Sequence, residues 1–113
     1  MAGVLQTSPE MFLDDLVFWH CQREIESRGL EYLAETIHGW IFPTQEAARR
    51  AAEKFEELAV AGNLEGKPGG QVLYACEVRP ILTLGSDDEI VTNGWLVHVE
   101  YSTPAGWRPI IGV

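Results

Sequence analysis

The sequence predicts a two-layer α+β fold in which two helices cover one face of a three- or four-stranded mixed or antiparallel sheet. Three observations support this. Two segments carry apolar residues at helical spacing behind capping residues. Three others alternate apolar and polar residues with the period of a strand. Their order is helix, strand, helix, strand, strand, with room for a final edge strand. At 113 residues, with 46% hydrophobic and 10% aromatic residues, the chain suits one domain over 1–113 and can bury a real core.

Residues 1–7 read as a loose leader, and Met1–Gln6 lacks the charged and apolar regions of a signal peptide. Ser8-Pro9-Glu10 begins a helix: Ser8 can cap, Pro9 suits the first turn, and Glu10 favours the positive end of the helix dipole. The helix should run from Pro9 to Arg28 and stop at Gly29. Leu13, Val17, Cys21 and Ile25 form its apolar row, widened by Phe12, Leu16 and Trp19, while Phe18 falls toward the polar side.

Between Leu30 and Phe42 an alternation from Tyr32 to Phe42 predicts a strand centred on Glu35–Phe42, although 30–34 fits another helical turn equally well. Pro43 ends it. Thr44 then caps a second helix whose inner face is Ala48, Ala51, Ala52, Phe55, Leu58, Ala59 and Gly62. Its alanines let it lie close against a sheet. Its outer face is charged, with Glu46 and Arg50 in the favourable i,i+4 order.

Gly62–Gly70, with four glycines in nine residues, predicts a mobile connection without a core element. Gln71–Leu84 reads as a long strand with Val72, Tyr74, Cys76 and Val78 on one face, and Pro80 implies a bend or an edge position. Gly85–Glu89 is an acidic turn, and Asn93-Gly94 is a second turn signal. Trp95–Tyr101 should pair with the preceding strand as an antiparallel hairpin. After a turn at Thr103–Gly106, Trp107–Val113 is a short apolar ending, with 109–113 as an edge strand or a tail available for self-association. Strand–helix–strand segments within one sheet require a right-handed crossover.

Charge and motifs exclude more than they assign. The net charge is −9, from 17 acids and 8 bases. Each of the segments 1–30, 31–67 and 68–113 contributes −3, so the acidity is spread over the surface. Direct nucleic-acid binding, which depends on cations displacing counterions, is disfavoured. No apolar run is long enough to span a membrane, which favours a cytoplasmic location. Cys21 and Cys76 read as reduced buried thiols, and a disulfide between them requires the first helix to lie over the strand carrying Cys76.

No ligand spacing for a metal, dinucleotide fingerprint, P-loop or nucleophile elbow is present, so no cofactor or metal is expected. Asp14-Asp15 and Asp87-Asp88 are adjacent carboxylates that point apart. A Cys76–His98 pair across adjacent strands is the one candidate for thiol chemistry. The chain otherwise reads as non-catalytic.

Partner binding is better founded. Eleven aromatics, four of them Trp, are many for so small a domain to hide. Phe18, Trp19 and Trp107 are the candidate contact aromatics, with Trp107 between Gly106 and Arg108-Pro109 presented outward or folded back as a lid. Asp87, Asp88 and Glu89 supply the acidic element. The expected partner is a larger protein with a basic surface of the kind that holds nucleic acid. The alternatives are a small-ligand or catalytic domain built on the 71–101 hairpin, and a subunit of a homo-oligomer such as a homodimer.

Ile37-His38-Gly39-Trp40-Ile41-Phe42-Pro43, followed by Glu46-Ala47-Ala48 and Ala51-Ala52, resembles the strand-to-helix entry of the ribonuclease E regulator B family. Asn93–Val99 resembles a later strand of that family. The resemblance implies a ferredoxin-like fold and a role in binding and restraining an RNA-processing enzyme. The family's later helix has no counterpart after Tyr101, where Pro104, Gly106 and Pro109 oppose one. In size and charge the chain also resembles small acidic inhibitors of phages and mobile elements, including anti-CRISPR and immunity proteins, which would act in the host cytoplasm.

Overall fold

The computed structural model describes residues 9–64 and 66–109, with the backbone alone at 9–12 and Pro68. The expected leader, the Ser8 cap, the Phe12 side chain and the ending at 110–113 lie outside the described residues. The elements in order are α1 (Pro9–Arg28), β1 (Ala34–Thr36), β2 (Gly39–Phe42), α2 (Gln45–Glu56), β3 (Ala61–Leu64), β4 (Lys67–Gln71), β5 (Leu73–Leu84), β6 (Ile90–Ser102) and β7 (Trp107–Pro109). The fold is α+β, with two antiparallel sheets ordered β1-β2-β6-β5 and β4-β3-β7. In the larger sheet β2 and β5 run parallel but are separated by β6, so every described pairing is antiparallel.

Both helices cover one face of the larger sheet. Leu13, Val17, Cys21 and Ile25 of α1 are buried, as their four-residue spacing predicts. Thr44 caps α2, its Oγ1 accepting from the Ala47 N–H at 3.1 Å. Ala48, Ala51, Ala52 and Phe55 form the buried stripe of α2. Opposite them lie Trp40 and Phe42 of β2, Tyr74 of β5, and Val97 and Val99 of β6. At the centre Trp40 stacks on Phe18 with ring centroids 5.0 Å apart and leans on Phe55 at 5.3 Å. Its indole N–H donates to Gln22 Oε1 at 3.0 Å, so the buried ring keeps its polar atom satisfied.

Four local expectations are corrected. The stretch read as one strand over Glu35–Phe42 is the β1–β2 hairpin, turning at Ile37-His38, and His38 takes φ +63° without the glycine that usually signals such a turn. The Gly62–Gly70 connection contains strands, because β3 and β4 form a hairpin that Val60 and Val72 anchor through a Val72 N–H to Val60 carbonyl bond of 3.1 Å. Asn93-Gly94 makes no turn. The register with β5 shifts between Ile81 and Leu82, opposite Gly94 and Thr92, so Asn93 is the extra residue of a bulge. Its Nδ2 donates to Thr83 Oγ1 at 2.8 Å.

The fourth correction concerns Trp107 as a contact aromatic: of its two expected placements, outward or folded back, the structure takes the second. It is only 8% exposed and belongs to the core cluster. Gly62 and Gly70 provide a slot without side chains into which its ring lies.

Pro80 sits mid-strand without breaking the sheet because β5 is the sheet edge. Cys76 turns its N–H away from β6 to Glu56 Oε2 at 3.0 Å, and Val72, just before β5, donates its own to the Val60 carbonyl at 3.1 Å. Pro80 shares the parity of Cys76 and has no N–H to satisfy.

Candidate functional site

The β5–β6 hairpin positions the acidic candidates. Leu84 pairs with Ile90, and the five residues between them make the turn. The Gly85 N–H donates to the Glu89 carbonyl at 2.7 Å and the Asp88 N–H to the Gly85 carbonyl at 3.1 Å. Asp88 takes φ +62°, which a short polar side chain tolerates, and Glu89 Oε2 accepts from the Asp87 N–H at 2.9 Å. Two of the three acids therefore shape the turn, and all three stay exposed.

The hairpin is longer than its cover. Even-numbered β5 residues and their cross-strand partners face the helices. Tyr74 is 7% exposed, but Leu82 is 56%, Leu84 70% and Ile90 71% exposed on the continuation of the same face. The molecule measures 58 Å along its longest axis against 29 and 27 Å across.

The aromatic candidates divide. Phe18 turns inward onto Trp40 and is half-buried. Trp19, expected to widen the apolar row of α1, points outward at 51% exposure with the Arg23 guanidinium 4.9 Å from its ring centroid. Of the four indoles, Trp40 and Trp107 are buried, Trp95 is half-buried and Trp19 is exposed. Thus Trp19 and the acidic turn are surface elements, whereas Phe18 and Trp107 serve the interior. The structure does not gather the sequence candidates into one patch.

A second feature had no motif to reveal it. Where β6 runs past the end of β2, an open cleft of about 290 Å³ is lined by Asp14, His38, His98, Val99, Glu100 and Tyr101. The Tyr101 hydroxyl donates to Asp14 Oδ1 at 2.5 Å, the His98 and Glu100 side chains approach to 3.5 Å, and the two imidazoles meet edge to face at 6.4 Å. No Ser, Thr or Cys lines it.

Cys76 and His98 do lie on adjacent strands but on opposite faces. Cys76 pairs with Val99 toward the helices, while His98 pairs with Glu77 on the other side. Burial, and then the Glu56 carboxylate, push the Cys76 thiol up to about 12. Burial, the Cys76 sulfur and Glu24 raise Cys21 as well. Both cysteines are free thiols, poorly suited to act as thiolates near neutral pH. Among the described residues no group of three His, Cys, Asp or Glu side chains could hold a metal ion, and no helix is long and apolar enough to cross a membrane.

No family model, no curated protein and no solved structure matches this chain.

Proposed function

We propose that this protein is a non-enzymatic acidic regulator or inhibitor that docks on a basic surface of a larger protein, of the kind that otherwise holds nucleic acid. One observation carries the reading. Large apolar side chains, among them Trp19, Leu82, Leu84 and Ile90, are left exposed on a molecule of net charge −9. Apolar area without cover favours contact with another surface, and uncompensated carboxylates select a cationic one. Arg28, Arg50, Lys54 and Arg79 are each already engaged by a neighbouring glutamate, and these one-to-one pairs leave the net charge of −9 standing. The inert environment of both thiols supports a role without thiol catalysis. Such a regulator would act in the cytoplasm, that of the host if a phage encodes it.

The test is affinity capture from the source cell, with the captured protein purified and its affinity measured at increasing salt. The reading expects a basic protein whose binding weakens steeply as ionic strength rises from about 50 to 500 mM, where the screening length falls to a few ångströms. Failure to recover a protein, or affinity indifferent to salt, removes its basis.

The cleft at His38 and His98 favours one second reading, a small-ligand site on the hairpin. A rise in melting temperature with a metabolite, abolished by His98→Ala, would mark it.

A further inference from the structure

We infer that the distal half of the β5–β6 hairpin is a docking arm whose occupant is a groove on the partner protein, with an apolar floor and a rim of lysine or arginine. The inference rests on the basic-partner reading and identifies the surface that performs it.

The arm continues the helix-facing side of the sheet beyond the point where burial ends. Leu82, Leu84 and Ile90 lie on that continuation, at 56%, 70% and 71% exposure. On the reverse face Val91 is 37% exposed. A two-stranded ribbon cannot bury such residues within itself. The Leu84–Ile90 cross-strand pair shelters only the flank that each side chain turns to the other. The strip therefore presents the composition of a core with no second layer over it.

Charge complementarity selects the occupant. From Pro80 to Gly106 the chain carries Asp87, Asp88, Glu89 and Glu100 and no Lys or Arg. Three of these acids sit at the tip where the apolar strip ends. A second copy would bring another net −9, and in a symmetric arm-to-arm contact its own acidic turn, against this one. An anionic membrane or a nucleic acid is repelled likewise. A partner groove with apolar side chains flanked by cations covers the strip and meets the tip at once.

The experiment uses the full chain labelled with ¹⁵N and two synthetic amphipathic helical peptides. They share one leucine face, and their polar face is lysine in one and glutamate in the other. The lysine peptide should shift amides over 80–95, less so at high salt, while the glutamate peptide shifts none. Leu84→Ser with Ile90→Ser should weaken binding by about tenfold or more. Asp87→Asn with Asp88→Asn should weaken it severalfold and flatten its salt dependence. Ile37→Ser, at an exposed apolar residue of the β1–β2 turn, should leave the arm response intact. All substituted side chains are exposed, and unchanged core amides verify the fold.

Shifts confined to α1 around Trp19 would overturn the arm while leaving the basic-partner reading standing. An equal response to both peptides would overturn the cationic rim. Arm shifts that grow with protein concentration alone would make a second copy the occupant and overturn the proposal. No response to either peptide would overturn the arm, while the reading beneath it falls only if the capture experiment fails.

Discussion

Gly62 and Trp107 pack so closely that nothing fits between them: a β-carbon on Gly62 would lie 2.1 Å from Trp107 Cε2. Strand pairing fixes the contact, since Gly62 aligns with Pro109 and Leu64 with Trp107. Gly62→Ala must displace either the indole or the strand and should destabilise the protein by about 1–3 kcal/mol, the usual penalty of overpacking. Thermal unfolding would measure it. Gly62→Ala with Trp107→Leu should lose less than the two single changes together, because the clash and the ring disappear jointly.

Phe55 is fully buried under Trp40. Phe55→Ala removes the lower ring of the Phe18–Trp40–Phe55 stack and should cost about 3–5 kcal/mol in a denaturant titration. Thr44→Ala removes only the cap acceptor for Ala47 and should cost about 1 kcal/mol in the same assay. Equal losses from the two would contradict the core described for this sheet.

Alkaline pH should weaken the fold in a predictable window. The Cys76 thiol is pushed from 9.0 up to about 12 by burial first and the Glu56 carboxylate second. Between those values the unfolded chain has lost the proton that the folded chain keeps. Its contribution is complete below pH 9 and disappears as pH rises toward 12. Cys21 and Tyr74, raised mainly by burial, act in the same direction. Urea midpoints should fall with pH above 9, and Cys76→Ala should flatten part of that slope. In the native state Cys21, with no exposed surface, should react with iodoacetamide only as the chain unfolds.

Acid should act through His20. Burial, and then Arg23, hold its imidazole below 6.5, and its Nδ1 lies 3.4 Å from the Tyr74 hydroxyl. The unfolded chain binds the proton first, so this contribution is complete above pH 6.5 and is lost as pH falls through the folded value. His20→Gln should blunt the loss of stability between neutral pH and about pH 5, read from melting temperatures.

His38 holds φ +63° in the β1–β2 turn, a conformation that costs a non-glycine residue about 1–2 kcal/mol. His38→Gly should therefore leave stability unchanged or raise it, despite the loss of a side chain that lines the cleft. His38→Ala keeps the strain without the ring and should be the less stable of the two in thermal unfolding.

Elements whose signal is local and periodic were legible from the residues. The Leu13–Ile25 row and the Thr44 cap with its alanine stripe specify their helices through spacing and a single hydrogen-bond acceptor. Signals shared by two structures misled. Asn93-Gly94 serves a hairpin turn and a bulge alike, and only the length of β5 opposite it decides for the bulge. The glycines at 62–70 read as slack, yet two of them form the slot for a ring some forty residues away in the chain. Trp107 stays open between an outward and a folded-back placement for the same reason, since neither its neighbours nor its parity reveal a distant pair of residues without side chains. In the candidate surface, the parity of Leu82 and Leu84 was readable, but how far the helices extend over that face depends on tertiary packing.

The ring at Pro80 bears on how the molecule behaves when crowded. β5 is the longest strand with an open margin, and greasy side chains lie beside that margin. Such a margin invites one molecule to stack on the next in an endless ribbon. A missing amide hydrogen midway along it leaves any such ladder short of a rung, so the stretch stays available for a chosen companion without seeding fibres.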